Sequence, residues 1–206
     1  SIVLKDIIVR YRIQNIDLLN RIFAYFSINM SQIFSGTSIV NYLKSQNREC
    51  SKESLYNYLS FIINSCVMNK VSRYDIHGKK VLATLEKFYL TDVSFARIHS
   101  DKIDIGASLE NIVFNELLNR GYDVKIGILR NAEVDFVAQR GNEKKYFQVC
   151  YLLATDETVK REFGAYDNVK DNYPKYVLSL DRFDFSQDGI IHKNIIDWLL
   201  ENEEEK

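Results

Sequence analysis

No stretch of the 206 residues approaches the 18 or so consecutive apolar residues of a membrane-spanning helix, and no basic segment leads into an apolar one as a secretory signal would. Cysteine is scarce: Cys50, Cys66 and Cys150 are an odd number without a CxxC spacing. That fits a reducing compartment better than a disulfide scaffold, and a cytoplasmic setting is expected. The three histidines, His77, His99 and His192, are scattered without ligand spacing, which favours turn or surface roles over a zinc site. Internal repeats and low-complexity tracts are missing too. The chain does not start with Met but at SIVLKDIIVRYRI, which reads like the interior of a gene product, so a piece of a longer protein is expected.

What is present suffices for folded cores, with 46% hydrophobic and 13% aromatic residues. The net charge of -1 hides an asymmetry: residues 1–99 carry 13 Lys+Arg against 7 Asp+Glu, and residues 100–206 carry 14 against 21. A basic half beside an acidic half suggests two domains, 1–99 and 100–206, with nucleic acid a candidate partner for the first.

In the first half, Ile16, Leu19, Ile22, Phe23 and Phe26 recur at helical spacing and predict a helix over 15–29. Thr37 and Ser38 offer caps for a short helix containing Ile39, Tyr42 and Leu43. Ser51 is the N-cap of a third, in which Leu55, Tyr58, Leu59, Ile62, Ile63 and Cys66 form the apolar stripe. Two extended stretches follow, VMNKVSRYDI and KKVLATLEKFYLTD, joined across His77 and Gly78, where glycine supplies a positive φ. Three helices and a hairpin are the order of an α+β winged helix-turn-helix. In that fold Lys52, Tyr56, Asn57 and Ser60 face DNA base edges, and Arg73, Lys79 and Lys80 approach phosphates. The same fold also serves as a protein-contact module.

SDKIDIG, residues 100–106, is the expected linker. Beyond it, Leu109, Ile112, Val113 and Leu117 predict a helix closed by Gly121 at C′, and YDVKIGIL, EVDFVAQ and KYFQVCYLL predict three strands. A helix from about Asp156 to Val169, a strand KYVLSL after Pro174, a short strand running into a helix in GIIHKNIIDWLL, and a solvated acidic tail, ENEEEK, complete an α/β domain.

Gly141-Asn142 is a two-residue hairpin turn, and centring the register there sets Asp135 opposite Gln148. Glu133 and Cys150 then lie one step along the same face, while Val134, Phe136, Phe147 and Val149 fill the other. Glu110, near the start of the preceding helix, lies above the polar pair if that helix crosses the sheet. Two carboxylates and an amide carbonyl are oxygen donors of the kind Mg²⁺ accepts.

A helix Glu (Glu110), then EVDFVA, then FQVCY resembles the PD-(D/E)XK nuclease superfamily. More closely, SLENIVFNELLNRGYDV, EVDFVA, YFQVCY, ETVKREF and DNYPKYVLSLD are similar to the C-terminal region that follows the P-loop module in a family of prokaryotic AAA-type ATPases. The likeness spans residues 1 to about 200. It implies an ATPase domain ahead of Ser1, a winged helix, and a nuclease-like domain with a mixed central sheet. It also implies that ATP belongs to the preceding module, since GxxxxGK[ST] is absent here and GKK at 78–80 lies in the hairpin. Carried onto this sequence, it makes Asp135 the central ligand of a Mg²⁺ ion, Glu110 a helix-borne ligand or water contact, and the Val149 carbonyl a further ligand. Gln148 takes the second acidic position. Cys150 stands where the superfamily has its lysine, and both departures weaken the metal and the activation of water. Lys125, Lys144 and Lys145 are candidate replacements.

Three functions remain open: a recognition arm of an ATPase that binds DNA or another ligand without cutting, an active Mg²⁺-dependent nuclease using Glu110, Asp135 and Gln148, and a protein interaction or assembly module. Arg161 and Glu162 in ETVKREF match the family motif; Arg161 is a candidate phosphate contact or a member of an ion pair that holds the helix, and Thr158 a local cap. Tyr166, Tyr173 and Tyr176 are expected to pack rather than stack on bases.

Overall fold

The computed structural model describes residues 2–102, 104–130 and 132–201. The chain divides into two units, one of residues 1–70 and 85–103, the other of residues 71–84 and 104–206.

The first unit is built from α1 (Ile2–Tyr11), α2 (Ile16–Ile28), α3 (Gly36–Ser45), α4 (Lys52–Asn64), α5 (Ser94–His99), the start of strand β1 (Met68–Asp75) and the end of strand β2 (Lys80–Leu90). Side-chain oxygens close the helix starts: Asn15 accepts the Leu18 N–H at 3.0 Å and Ser51 that of Ser54 at 3.0 Å. For α3 the cap is Ser35, whose extended backbone lets its Oγ reach the Ser38 N–H at 3.4 Å, so Thr37 and Ser38 lie inside the helix. Leu19, Ile22, Phe23 and Phe26 of α2 and Leu55, Leu59 and Ile62 of α4 are buried. Each contributes roughly 1.5–3 kcal/mol relative to exposure. Phe26, Phe34 and Phe88 form a triangle with centroids 4.8–5.3 Å apart. Cys66 leaves the expected apolar stripe: α4 ends at the Ser65 cap, and Cys66 takes φ 55 and is exposed.

At the β1–β2 turn the left-handed residue is Lys79, with φ 50, not Gly78. Glycine is needed at 78 for space: its N–H donates to Asp75 Oδ1 at 2.9 Å, and a β-carbon there would meet Asp75 Oδ2 at 2.5 Å.

The second unit carries α6 (Ile105–Asn119), β3 (Asp123–Ile128), β4 (Glu133–Arg140), β5 (Glu143–Val149), α7 (Asp156–Gly164), β6 (Lys175–Ser179), β7 (Ile190–Asn194) and α8 (Ile195–Leu200). Asp104 caps α6 through the Ala107 N–H at 3.0 Å, so this helix starts within the expected linker. Gly121 follows it at φ +79. The strands join one mixed sheet in the order β2-β1-β3-β4-β5-β6-β7, with β1/β3, β5/β6 and β6/β7 parallel and β3/β4 and β4/β5 antiparallel. The architecture is α/β with two regions. Val71–Thr84, the outer half of the β1–β2 hairpin, clusters with the second region, because Arg73, Tyr74 and Asp75 pair with Ile126, Gly127 and Ile128.

In the second unit, β4 and β5 are packed on both faces. Phe136 meets Phe114 of α6, and Phe147 meets Trp198 of α8 and stacks on Tyr176 of the neighbouring strand β6. Val134, Val137, Tyr146 and Cys150 belong instead to a core with Phe163, Tyr166 and Val169 around α7. The α7 helix stops at Gly164, short of the expected Val169, and continues as turns in which Tyr166 N–H bonds Phe163 O and Val169 N–H bonds Tyr166 O. Of the tail, residues 202–206 lie outside the described residues. Among the described residues no helix is long and apolar enough to cross a membrane.

Candidate functional site

The β4–β5 register runs from Arg140 opposite Glu143 to Phe136 opposite Phe147, as the Gly141 turn requires, and Asp135 and Gln148 come next. On its other side β4 does not match β3 evenly. Lys125 pairs with Val137 and Gly127 with Val134, so Asp135 and Phe136 together stand against Ile126 alone. This bulge re-aims the strand at Asp135. It also explains why Val134 shares a core with Val137 rather than with Phe136.

At the bulge, side chains replace ladder bonds. The Asp135 N–H donates to Gln148 Oε1 at 3.2 Å, and the Val149 N–H donates to Asp135 Oδ2 at 2.8 Å. Gln148 Nε2 donates to Glu162 Oε2 of α7 at 2.9 Å. The amide orientation follows: turned over, it would set oxygen against a carboxylate and NH₂ against N–H. Glu162 is buried, and its Oε1 accepts from Arg161 Nε at 2.9 Å and Nη2 at 2.6 Å. The Arg161 side chain is 70% exposed, so its charge is also presented to solvent. A cleft of ≈ 500 Å³ opens here, lined by Glu110, Glu133, Asp135, Gln148, Glu162 and Asp167 together with Lys160 and Arg161. Glu110 and Asp135 both line it.

Cys150, in the lysine position of the resemblance, is buried beside these groups. Burial, then Glu162, Asp181 and Asp135, push its thiol up to about 12, so it is neutral at ordinary pH. Burial likewise holds the Tyr166 phenol well above its usual range, and its hydroxyl donates to the Tyr176 carbonyl at 2.6 Å. The three lysines considered as replacements line other places. Lys125 pairs with Asp123, and Lys145 with Glu143 at 2.7 Å and with the Tyr122 hydroxyl. Lys144 sits among the rings of Tyr74, Tyr146 and Tyr173, 3.6 Å from Asp171. The cations at the cleft are Arg161 and Lys160, and Lys160 was missed; its place beside Arg161 in ETVKREF was the available signal.

This donor set falls short of a magnesium octahedron. Gln148 spends its oxygen on a backbone N–H and turns its NH₂ toward the acids, and one Asp135 oxygen is taken by Val149. Among the described residues no three His, Cys, Asp or Glu side chains converge as a metal site.

Away from the cleft, Lys52, Tyr56 and Asn57 are exposed on α4, and Ser60 is half-buried with its Oγ donating to the Asn57 carbonyl at 2.7 Å. Tyr56 leans on Phe34 and over Gly36, where a β-carbon would meet its hydroxyl at 2.9 Å. Lys79 and Lys80 are exposed at the hairpin turn. Arg73 lies within the sheet, opposite Ile126, with its Nε buried and without a hydrogen-bond partner. Thr158 is local, its N–H capped by Thr155 Oγ1 at 3.2 Å. Tyr176 stacks on Phe147, while Tyr173 remains 43% exposed beside Lys144.

His192 departs from the expected surface role. It is buried, with Nε2 2.9 Å from Ser179 Oγ and Nδ1 accepting the Phe185 N–H at 3.4 Å. The Ser179 hydroxyl also donates to Asp181 Oδ2 at 2.8 Å, so the imidazole, the hydroxyl and the carboxylate form one network. These bonds lock β6, β7 and the segment between them together.

No family model matches the chain. It is similar to an uncharacterized protein of Haemophilus influenzae, 32% identical over 204 residues, 98% of this chain and 50% of that protein. An uncharacterized protein of Methanocaldococcus jannaschii is 32% identical over 174 residues, 81% of this chain and 38% of that protein. The chain thus spans half or less of the length of these relatives.

Proposed function

We propose that this chain is the recognition region of a larger AAA-type ATPase, a winged helix joined to a degenerate PD-(D/E)XK nuclease-like domain that binds nucleic acid without cutting it. One observation carries the reading: the residue in the second acidic position, Gln148, is spent as a link between the Asp135 N–H and the Glu162 carboxylate. An acid there would leave that N–H with an acceptor but would set two anions together, whereas the amide satisfies both neighbours. The neutral Cys150 thiol adds to it, because it supplies no charge to an attacking water. Lys160 and Arg161 at the cleft, and Lys52, Lys79 and Lys80 on the helix and hairpin, are the cations that would meet phosphates. The chain covers 50% of the Haemophilus influenzae relative, which leaves room in a protein of that length for such a module.

The test is a mobility shift with duplex and branched DNA over a salt series, beside a cleavage assay in Mg²⁺ and then Mn²⁺ with Asp135→Ala as control. Binding that weakens by about 0.9 log unit per phosphate contact for each tenfold rise in salt, without cutting, is expected. Metal-dependent cutting abolished by Asp135→Ala would instead establish an active nuclease. A protein-contact role is the second reading, favoured by the exposed apolar side chains of Ile33, Tyr56 and Leu85 in the first unit, and salt-insensitive failure to bind DNA would support it.

A further inference from the structure

Ile76 follows β1 directly and is buried in the core that backs the cleft, its N–H donating to the Ile128 carbonyl at 3.0 Å. Its Cδ1 lies 3.0 Å from the point where Gly127 would carry a β-carbon. Val137 Cγ2 and Val134 Cβ close on that same point at 2.9 and 3.1 Å. Only glycine permits this convergence. Val134 and Val137 are the residues on either side of the bulge at Asp135 and Phe136. The strand register repeats the connection, since Tyr74 pairs with Gly127 and Gly127 pairs with Val134, the neighbour of Asp135. Tyr74 is in turn held by Lys144, whose Nζ is 5.4 Å from the ring centre.

We infer that Ile76 is a positioning residue for the cleft: the outer half of the β1–β2 hairpin props the bulge in the shape that directs Asp135 toward Val149 and Gln148. The relation is reciprocal by linkage, so whatever loads the hairpin turn at Lys79 and Lys80 alters the cleft, and a ligand in the cleft alters the hairpin. The functional part of this inference rests on the cleft being a binding site; the mechanical part does not.

Two amides report the state of the bulge, because the Asp135 and Val149 N–H groups donate to the side chains of Gln148 and Asp135. Residue-resolved hydrogen exchange on the full chain compares Ile76→Ala with Ile195→Ala, a buried change in α8, the two brought to equal global stability with urea. Exchange at Asp135 and Val149 at least tenfold faster in Ile76→Ala than in the control is expected. Equal rates would overturn the inference. Should Ile76→Ala fail to fold, Ile76→Val removes only the methyl over Gly127 and is expected to act in the same direction. In the reverse arm, Gln148→Ala is expected to speed exchange of the Ile76 amide more than that of Leu153, which is bonded to Asp181. Absence of DNA binding alongside faster exchange would defeat the proposed function and leave this coupling standing.

Discussion

The side-chain amide of Gln148 donates to the buried carboxylate of Glu162 at 2.9 Å, so a strand and a helix meet through a neutral donor at the place where the resemblance expects an acid. Gln148→Glu replaces that donor with a second anion. The variant is expected to lose roughly 2 kcal/mol of stability at pH 7, through the lost hydrogen bond and the like charge beside Glu162. Protonating the introduced carboxyl removes the like charge, so the loss shrinks as pH falls toward 4.5. Urea unfolding of wild type and variant at both pH values checks the sign; a loss that grows on acidification would contradict the geometry.

Burial lowers the His192 pKa below its usual 6.5, outweighing the opposing pull of Asp181 and Asp184. Burial lowers that of His99 as well. For both, the unfolded chain binds more protons between the folded pKa and 6.5, so stability is full above 6.5 and falls as pH drops through that window. Urea midpoints from pH 8 to 5 should decline, and His192→Gln should flatten the decline. An unchanged slope in His192→Gln would remove His192 from the account.

A β-carbon on Gly127 would lie 2.9 to 3.1 Å from Val137, Ile76 and Val134, all of them in a packed interior. Gly127→Ala is therefore expected to cost about 1–3 kcal/mol, although alanine favours folding at unstrained sites. Gly164→Ala, whose nearest neighbour is Asp167 at 3.6 Å, should cost far less and serves as the comparison in the same denaturation experiment.

With its thiol pushed up to about 12, Cys150 is ionised to roughly one part in 10⁴ at pH 8. Cys66 is exposed, and Cys50 is half-buried with its pKa raised by burial. A chromogenic thiol reagent should find Cys66 quickly in the native chain and Cys150 only on unfolding. Rapid native labelling of Cys150, read by peptide mapping, would show that the cleft reaches it.

Local chemistry made much of this legible. Ser51 announces α4, Gly121 ends α6, and Gly141-Asn142 sets the β4–β5 register that brings Asp135 to Gln148. What escaped has no local signal. The bulge at Asp135 depends on how β3 meets β4, and Ile76 enters the core through a parallel pairing of only Arg73, Tyr74 and Asp75 with a strand some fifty residues away. Parallel pairing over such a separation leaves no turn residue to betray it. The His192 lock is likewise assembled from Ser179, Asp181 and Phe185, which only the folded chain draws together. The amphipathic spacing in α2 was readable, whereas α5 is short and anchored by Phe95 edge-on to Phe23, a tertiary contact.

The parallel pairing of β1 with β3 also governs how the molecule can be divided. A fragment beginning at residue 104 would retain Glu110, Asp135 and Gln148 yet forfeit the strand that covers the outer edge of β3. Its bare backbone donors and acceptors would invite pairing with other chains. A cut at residue 104 therefore splits the second unit itself, because residues 71–84 are part of it.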